Sequence, residues 1–111
     1  MAVSETFEQL TKKINDNPTH IEGLNIVYQF NLSGDEEGTH QMKLANNVVE
    51  YNTDEKYDAD ITLEMSDKSF IKLADGDLNP TTAYMTGKLK VRGDLSLALK
   101  LNTLLKKYQG E

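Results

Sequence analysis

Period-two alternation of apolar and polar residues is the strongest signal in the chain. From Leu24 to Leu32, Leu24, Ile26, Tyr28, Phe30 and Leu32 alternate with Asn25, Val27, Gln29 and Asn31, which predicts a strand with one buried face. Ser33 to Gly38 is polar and glycine-bounded and suits a hairpin loop, after which His40, Met42 and Leu44 resume the alternation. Ala45-Asn46-Asn47 supplies a turn, because asparagine tolerates positive backbone dihedrals, and Val48 to Asn52 returns as a third strand with Val49 and Tyr51 on one side. Thr53 to Asp58 reads as a polar, solvated connection. Ile61, Leu63 and Met65 then mark a fourth strand, and Lys88 to Arg92 a fifth with Leu89 and Val91 inward.

The remaining apolar residues repeat at helical spacing. Phe7, Leu10 and Ile14 predict a first helix from about Glu5 to Asn15, ended by Asn17-Pro18. Ser66 caps a short helix through about Ala74, with Phe70, Leu73 and Ala74 on one face and Asp75-Gly76 as its stop. Asn79-Pro80 restarts a helix through Met85, and Asp94 caps a last one running to about Tyr108. Leu95, Leu97, Ala98, Leu99, Leu101, Leu104 and Leu105 cover more of that last helix than one packed stripe requires. Strands and helices are mostly segregated along the chain. The expected class is therefore α+β, a five-stranded, largely antiparallel sheet with helices packed on one face.

Length and charge narrow the function. At 111 residues, 38% apolar and 27% charged, the chain suits one domain spanning residues 1–111. It has no cysteine, which removes disulfides and thiolate chemistry. No secretory signal or long apolar run is visible, and a cytoplasmic location is expected. A net charge of −6 argues against nucleic acid as partner. The charge is uneven, however. Residues 88–111 hold six cations and two acids, whereas residues 1–87 hold six cations and sixteen acids. The basic end is either a solvated face or a docking patch for anionic lipid through Lys100, Lys106 and Lys107.

Candidate chemistry is sparse. His20 and His40 have no metal-type spacing, and no serine sits in a nucleophile elbow. Asp54, Asp58 and Asp60 lack the glycine and terminal glutamate of a calcium loop, and no glycine-rich phosphate cradle opens a helix. No cofactor and no catalysis are expected. What the chain does have is a surplus of flexible apolar groups in its second half: Met65, Phe70, Ile71, Leu73, Leu78, Tyr84, Met85 and the leucines of the last helix. These build either an ordinary core or the wall of a pocket.

One stretch is specific enough to carry a resemblance. Asp60-Ile61-Thr62-Leu63-Glu64-Met65-Ser66-Asp67 is followed by Phe70, Leu73, Asp75-Gly76-Asp77-Leu78-Asn79-Pro80, Ala83 and Tyr84, then Gly87-Lys88-Leu89-Lys90-Val91-Arg92-Gly93-Asp94 before the leucine-rich helix. Over residues 58–105 this resembles the sterol carrier protein 2 family. The resemblance implies a five-stranded sheet, helices on one face, and an interior hydrophobic tunnel for fatty acids, acyl-CoA, sterols or other lipids. The ending Gly110-Glu111 differs from the Ser-Lys-Leu-like tripeptide of peroxisomal members, which agrees with the cytoplasmic expectation.

The expected function is non-catalytic binding, and transfer, of a lipid-like molecule. The expected ligand-binding residues are Tyr28, Phe30 and Met42 on the sheet with Phe70, Leu73, Tyr84, Met85, Leu99 and Leu101 on the covering segments, and the last helix is the expected lid. The alternative is a protein interaction or dimerisation module that uses the leucine-rich helix.

Overall fold

The computed structural model describes residues 2–109. Helix α1 runs Ala2–Asp16 and is followed by a 3-10 turn at Pro18–Ile21. Three strands come next, β1 (Ile26–Ser33), β2 (Gly38–Ala45) and β3 (Val48–Asn52), and then β4 (Ile61–Ser66). Helices α2 (Asp67–Asp75) and α3 (Pro80–Met85) precede β5 (Lys90–Gly93) and α4 (Leu95–Gln109). The predicted elements are all present, with shifted ends. Helix α1 starts at Ala2 rather than Glu5, because Val3 adds a buried position one turn before Phe7. Strand β1 starts at Ile26, leaving Leu24 partly buried in the connection.

The sheet order is β3-β2-β1-β4-β5. Neighbours pair antiparallel except β1 and β4, which run parallel with Tyr28 opposite Ile61 and Phe30 opposite Leu63. The face carrying Tyr28, Phe30, Met42 and Leu63 is covered by helices. Phe7 of α1 centres that layer. It stacks on Phe70 of α2 at 4.2 Å, on His40 at 4.6 Å and on Tyr51 at 4.9 Å, and meets Phe30 edge-on at 5.3 Å. Asn15 ties α1 to the sheet edge, its amide accepting from the Val49 N–H at 2.7 Å and donating to the Val49 carbonyl at 3.0 Å. Those backbone groups would otherwise stand unpaired on an edge strand.

The opposite face is less open than alternation predicts. Reaching β4 from β3 takes the chain across the outer face of β2 and β1, so the segment of residues 53–60 lies over Gln41 and Gln29. Gln41 is fully buried and binds the Tyr57 backbone at both ends, donating to its carbonyl at 2.8 Å and accepting from its N–H at 3.1 Å. The same amide donates to Gln29 at 2.9 Å. Asp60 then pairs with both backbone groups of Val27, at 2.8 and 2.9 Å. The Tyr57 ring is fixed from two sides, with the Lys43 ammonium 4.1 Å above it and Glu50 accepting its hydroxyl at 2.9 Å. The stretch is solvated as expected, with only Tyr57 half-buried, and its inner side closes a small polar layer over Gln41 and Gln29.

Candidate functional site: an apolar cleft between two helices and the edge strand

The segment after β4 is built by local signals. The Ser66 hydroxyl accepts from the Ser69 N–H at 3.0 Å and caps α2. Gly76, at φ +86°, ends that helix in the left-handed conformation, and the Asp77 N–H bonds back to the Lys72 carbonyl at 2.8 Å. Asn79 caps α3 by accepting from the Thr81 and Thr82 N–H groups at 2.8 and 3.3 Å, with Pro80 at the first helical position. Helix α3 lasts six residues before Gly87, at φ +81°, turns the chain into β5. Asp94 starts α4 by accepting from the Ser96 hydroxyl and N–H at 2.7 and 2.9 Å, and these bonds hold its carboxyl below the usual range.

Between α3, β5 and the first half of α4 lies a cleft of about 60 Å³. Its wall is Pro80, Thr81, Tyr84, Leu89, Val91, Leu95, Ala98 and Leu99, apolar but for two hydroxyls. Five large apolar side chains are exposed among the described residues, and four belong to this corner: Tyr84 at 47%, Met85 at 80%, Leu95 at 44% and Leu99 at 52%. Such a concentration marks a surface that something else covers.

The two helices beside the cleft are held very differently. Helix α4 buries Ala98, Leu101, Leu104, Leu105 and Tyr108. It is bonded to the rest of the fold along its length: the Tyr28 hydroxyl donates to the Leu97 carbonyl at 2.8 Å, the Tyr108 hydroxyl to the Asn17 carbonyl at 2.7 Å, and the Gln109 amide to the Ala74 carbonyl at 3.0 Å. Helix α3 buries only Pro80 and Ala83.

The nine side chains expected to bind ligand divide into two groups. Tyr28, Phe30, Met42, Phe70, Leu73 and Leu101 are packed together in the core cluster. Tyr84 and Leu99 both line the cleft, and Met85, beside Tyr84, is exposed outside its wall. Leu89, Val91, Leu95 and Ala98 complete the wall; alternation marked Leu89 and Val91 as inward and Leu95 and Ala98 belonged to the wide apolar coverage of the last helix, but neither pattern separated a core position from a cleft position. Of the lysines expected to meet anionic lipid, Lys100 adjoins Leu99. Lys106 borders a separate polar depression with Asp77 and Asn79.

The cleft offers burial rather than chemistry. Among the described residues no group of three histidine, aspartate or glutamate side chains is placed to hold a metal ion. His40 lies in the aromatic layer, its Nδ1 2.8 Å from the Tyr51 hydroxyl, and burial lowers its pKa. Burial, reinforced by the Asp60 charge, raises the pKa of Tyr28 and keeps its hydroxyl a donor.

An α+β fold with helices on one face of a mixed five-stranded sheet and an apolar cleft among them is a recognisable class. The profile of the SCP-2 sterol transfer family matches residues 7–106, and the chain belongs to that family. Hydroxysteroid dehydrogenase-like protein 2 of Bos taurus is 38% identical over 105 residues, which are 94% of this chain and 25% of that protein. The chain spans a quarter or less of the curated relatives of this kind. The solution structure of the sterol carrier protein domain 2 of Helicoverpa armigera superposes with a TM-score of 0.84 at 27% identity, covering 100% of this chain and 91% of that one. Sterol Carrier Protein-2 from Aedes aegypti, solved in complex with the C16 fatty acid palmitate, shares the fold with a TM-score of 0.73 at 21% identity, covering 95% of this chain and 94% of that one.

Proposed function

We propose that the chain binds an acyl chain or similar apolar lipid in the cleft between α3, β5 and α4, and carries or presents it without transforming it. The observation that carries this reading is the cluster of exposed apolar side chains around an apolar cleft. Membership of a sterol transfer family supports it, and so does palmitate in the Aedes protein of the same fold. Each buried methylene is worth about 0.8 kcal/mol, so a long acyl chain supplies enough driving force without any polar anchor.

At about 60 Å³ the cleft is closed down. Pockets that hold small molecules enclose roughly 300–1,000 Å³, so the cleft must widen to load. Helix α3 is the moving part in this reading, since it is short, buries two residues, and lies between glycines 76 and 87, both at positive φ. Helix α4, the lid expected from sequence, serves as the fixed wall.

The test is a titration of detergent-free protein with a fluorescent fatty acid, followed by displacement with palmitate. Leu99→Asp places a carboxylate where the free protein tolerates one but a bound chain would bury it, so affinity should fall by about tenfold or more. Val48→Asp, at a position of matching exposure on β3, should leave binding unchanged. Absence of uptake by the wild type, or equal binding by Leu99→Asp, would overturn the reading.

A further inference from the structure

The two edges of the sheet, β3 and β5, are finished differently. On β3 the outward backbone groups of Val49 are taken by Asn15 of α1. On β5 they are left open. Successive residues of a strand turn their N–H and C=O groups to opposite sides, so two of the four residues of Lys90–Gly93 present theirs away from β4. No hydrogen bond from another described residue meets them. The strand also separates two recesses. Leu89 and Val91 line the apolar cleft on the helix side. Lys88 and Lys90 line a groove of about 380 Å³ on the opposite face, with Asn31, Glu64 and Ser66. Residues 88–92 hold three cations and no acid, in a chain of net charge −6. Arg92 is engaged by Glu64 at 2.8 Å. Lys88 and Lys90 are exposed, and no ion pair joins either to another of the described residues.

We propose that the free edge of β5 takes up an extended segment of a partner protein as an added strand, one in which acidic residues alternate with apolar ones. Its main chain bonds to the outward groups of β5, its acidic side chains lie over the groove beside Lys88 and Lys90, and its apolar side chains turn to the helix side beside Val91. Pattern and charge together select this occupant. A strand laid about 4.8 Å from β5 sends alternate side chains to opposite faces, and the two faces here differ, one apolar and one cationic. A second copy pairing edge to edge would set the cations of one β5 against the same cations of the other, which is unfavourable across strands. The inference goes beyond the lipid reading and does not rest on it.

The probe is a synthetic peptide of three Val-Glu repeats, blocked at both ends and titrated into isotope-labelled protein. Amide resonances of residues 88–93 should shift, and hydrogen exchange there should slow. A peptide of three Val-Lys repeats should bind at least about tenfold more weakly. Lys88→Glu combined with Lys90→Glu should reverse that order of preference, with an amide spectrum unchanged in α1 and β1–β3 to show that the variant folds. The Val-Glu peptide methylated at every backbone nitrogen cannot donate to the strand, and should neither shift β5 nor slow its exchange. Equal shifts from the methylated peptide overturn the added strand, and equal affinity for the Glu and Lys peptides overturns the choice of partner. A Val-Glu peptide that leaves β5 unmoved, in protein that takes up the fluorescent fatty acid, overturns the proposal and spares the lipid reading. Shifts of β5 that grow with protein concentration in the absence of peptide would assign the edge to a second copy and overturn it as well.

Discussion

The hydroxyl of Tyr28, at the middle of the central strand, donates to the carbonyl of Leu97 on α4 at 2.8 Å. Leu97 lies between Leu95 and Ala98, two residues of the cleft wall. The bond therefore fixes the wall to the sheet, and its donor is secure because burial raises the phenol pKa. Tyr28→Phe keeps the ring and removes the bond. It should lower unfolding free energy by about 0.5–1.5 kcal/mol in urea titration, with faster amide exchange confined to the first half of α4. If α3 is the part that moves, as proposed, the rate of fatty-acid uptake should not change. An accelerated uptake would return the role of lid to α4.

Gln41 makes a second prediction, on the outer face. Its side chain binds both the N–H and the carbonyl of Tyr57, and it is fully buried. Gln41→Leu fits the volume but leaves those two backbone groups and the Gln29 carbonyl without their partner. Each such loss is worth about 1–3 kcal/mol, so a drop of several kcal/mol in urea titration is expected. Protease cleavage within residues 53–60 should appear at the same time. A near-neutral effect would mean that Asp60, the Tyr57 ring and the bonds of Glu55 and Lys56 hold the crossing segment without Gln41.

How far these features were legible in the sequence follows from what alternation encodes. It separates the two faces of a strand, and it placed Tyr28, Phe30 and Met42 on the helix side correctly. It is the same for parallel and antiparallel neighbours, so the β1–β4 pairing was hidden until the connection of residues 53–60 was traced across the sheet. For the same reason Gln29 and Gln41, polar and outward, gave no sign of being buried. Caps are local and were readable: Ser66, Asn79 and Asp94 all start helices as expected. The cleft was only half readable. Alternation assigns Leu89 and Val91 inward, but whether an inward side chain meets a packed neighbour or a gap depends on how α3 seats against α4, which is a tertiary matter.

His40 predicts the response to acid. Burial lowers its pKa from the ordinary 6.5, so the folded state favours the neutral ring. Its contribution is complete above that ordinary value and is lost as pH falls through it toward the lower folded value. Glu50 belongs to another window. Hydrogen bonds from Asn52, Tyr57 and Lys56 hold it at about 2 against an ordinary 4.5, so what it contributes is kept until pH falls below the latter. Urea midpoints should therefore decline between about pH 7.5 and about pH 5, and His40→Gln should flatten that decline while preserving a partner for Tyr51. An equal decline in the variant would remove His40 as the cause.

Gly87 offers a direct test of which helix opens. A methyl group built there meets no atom within 4 Å, and its φ is +81°, so Gly87→Ala strains the backbone and nothing else. The strain of a non-glycine residue in that conformation is about 1–2 kcal/mol and is borne by the closed state, in which α3 is seated. If α3 swings at Gly87, the open state releases the strain, and uptake of the fluorescent fatty acid in stopped flow should quicken by about fivefold or more. Gly76 is a poorer probe, because a methyl there would come within 2.7 Å of the Gln109 side chain and disturb the end of α4 as well. An uptake rate unchanged in Gly87→Ala, in a variant whose urea midpoint has fallen, would show that the strain persists through loading and that the chain does not turn at this glycine.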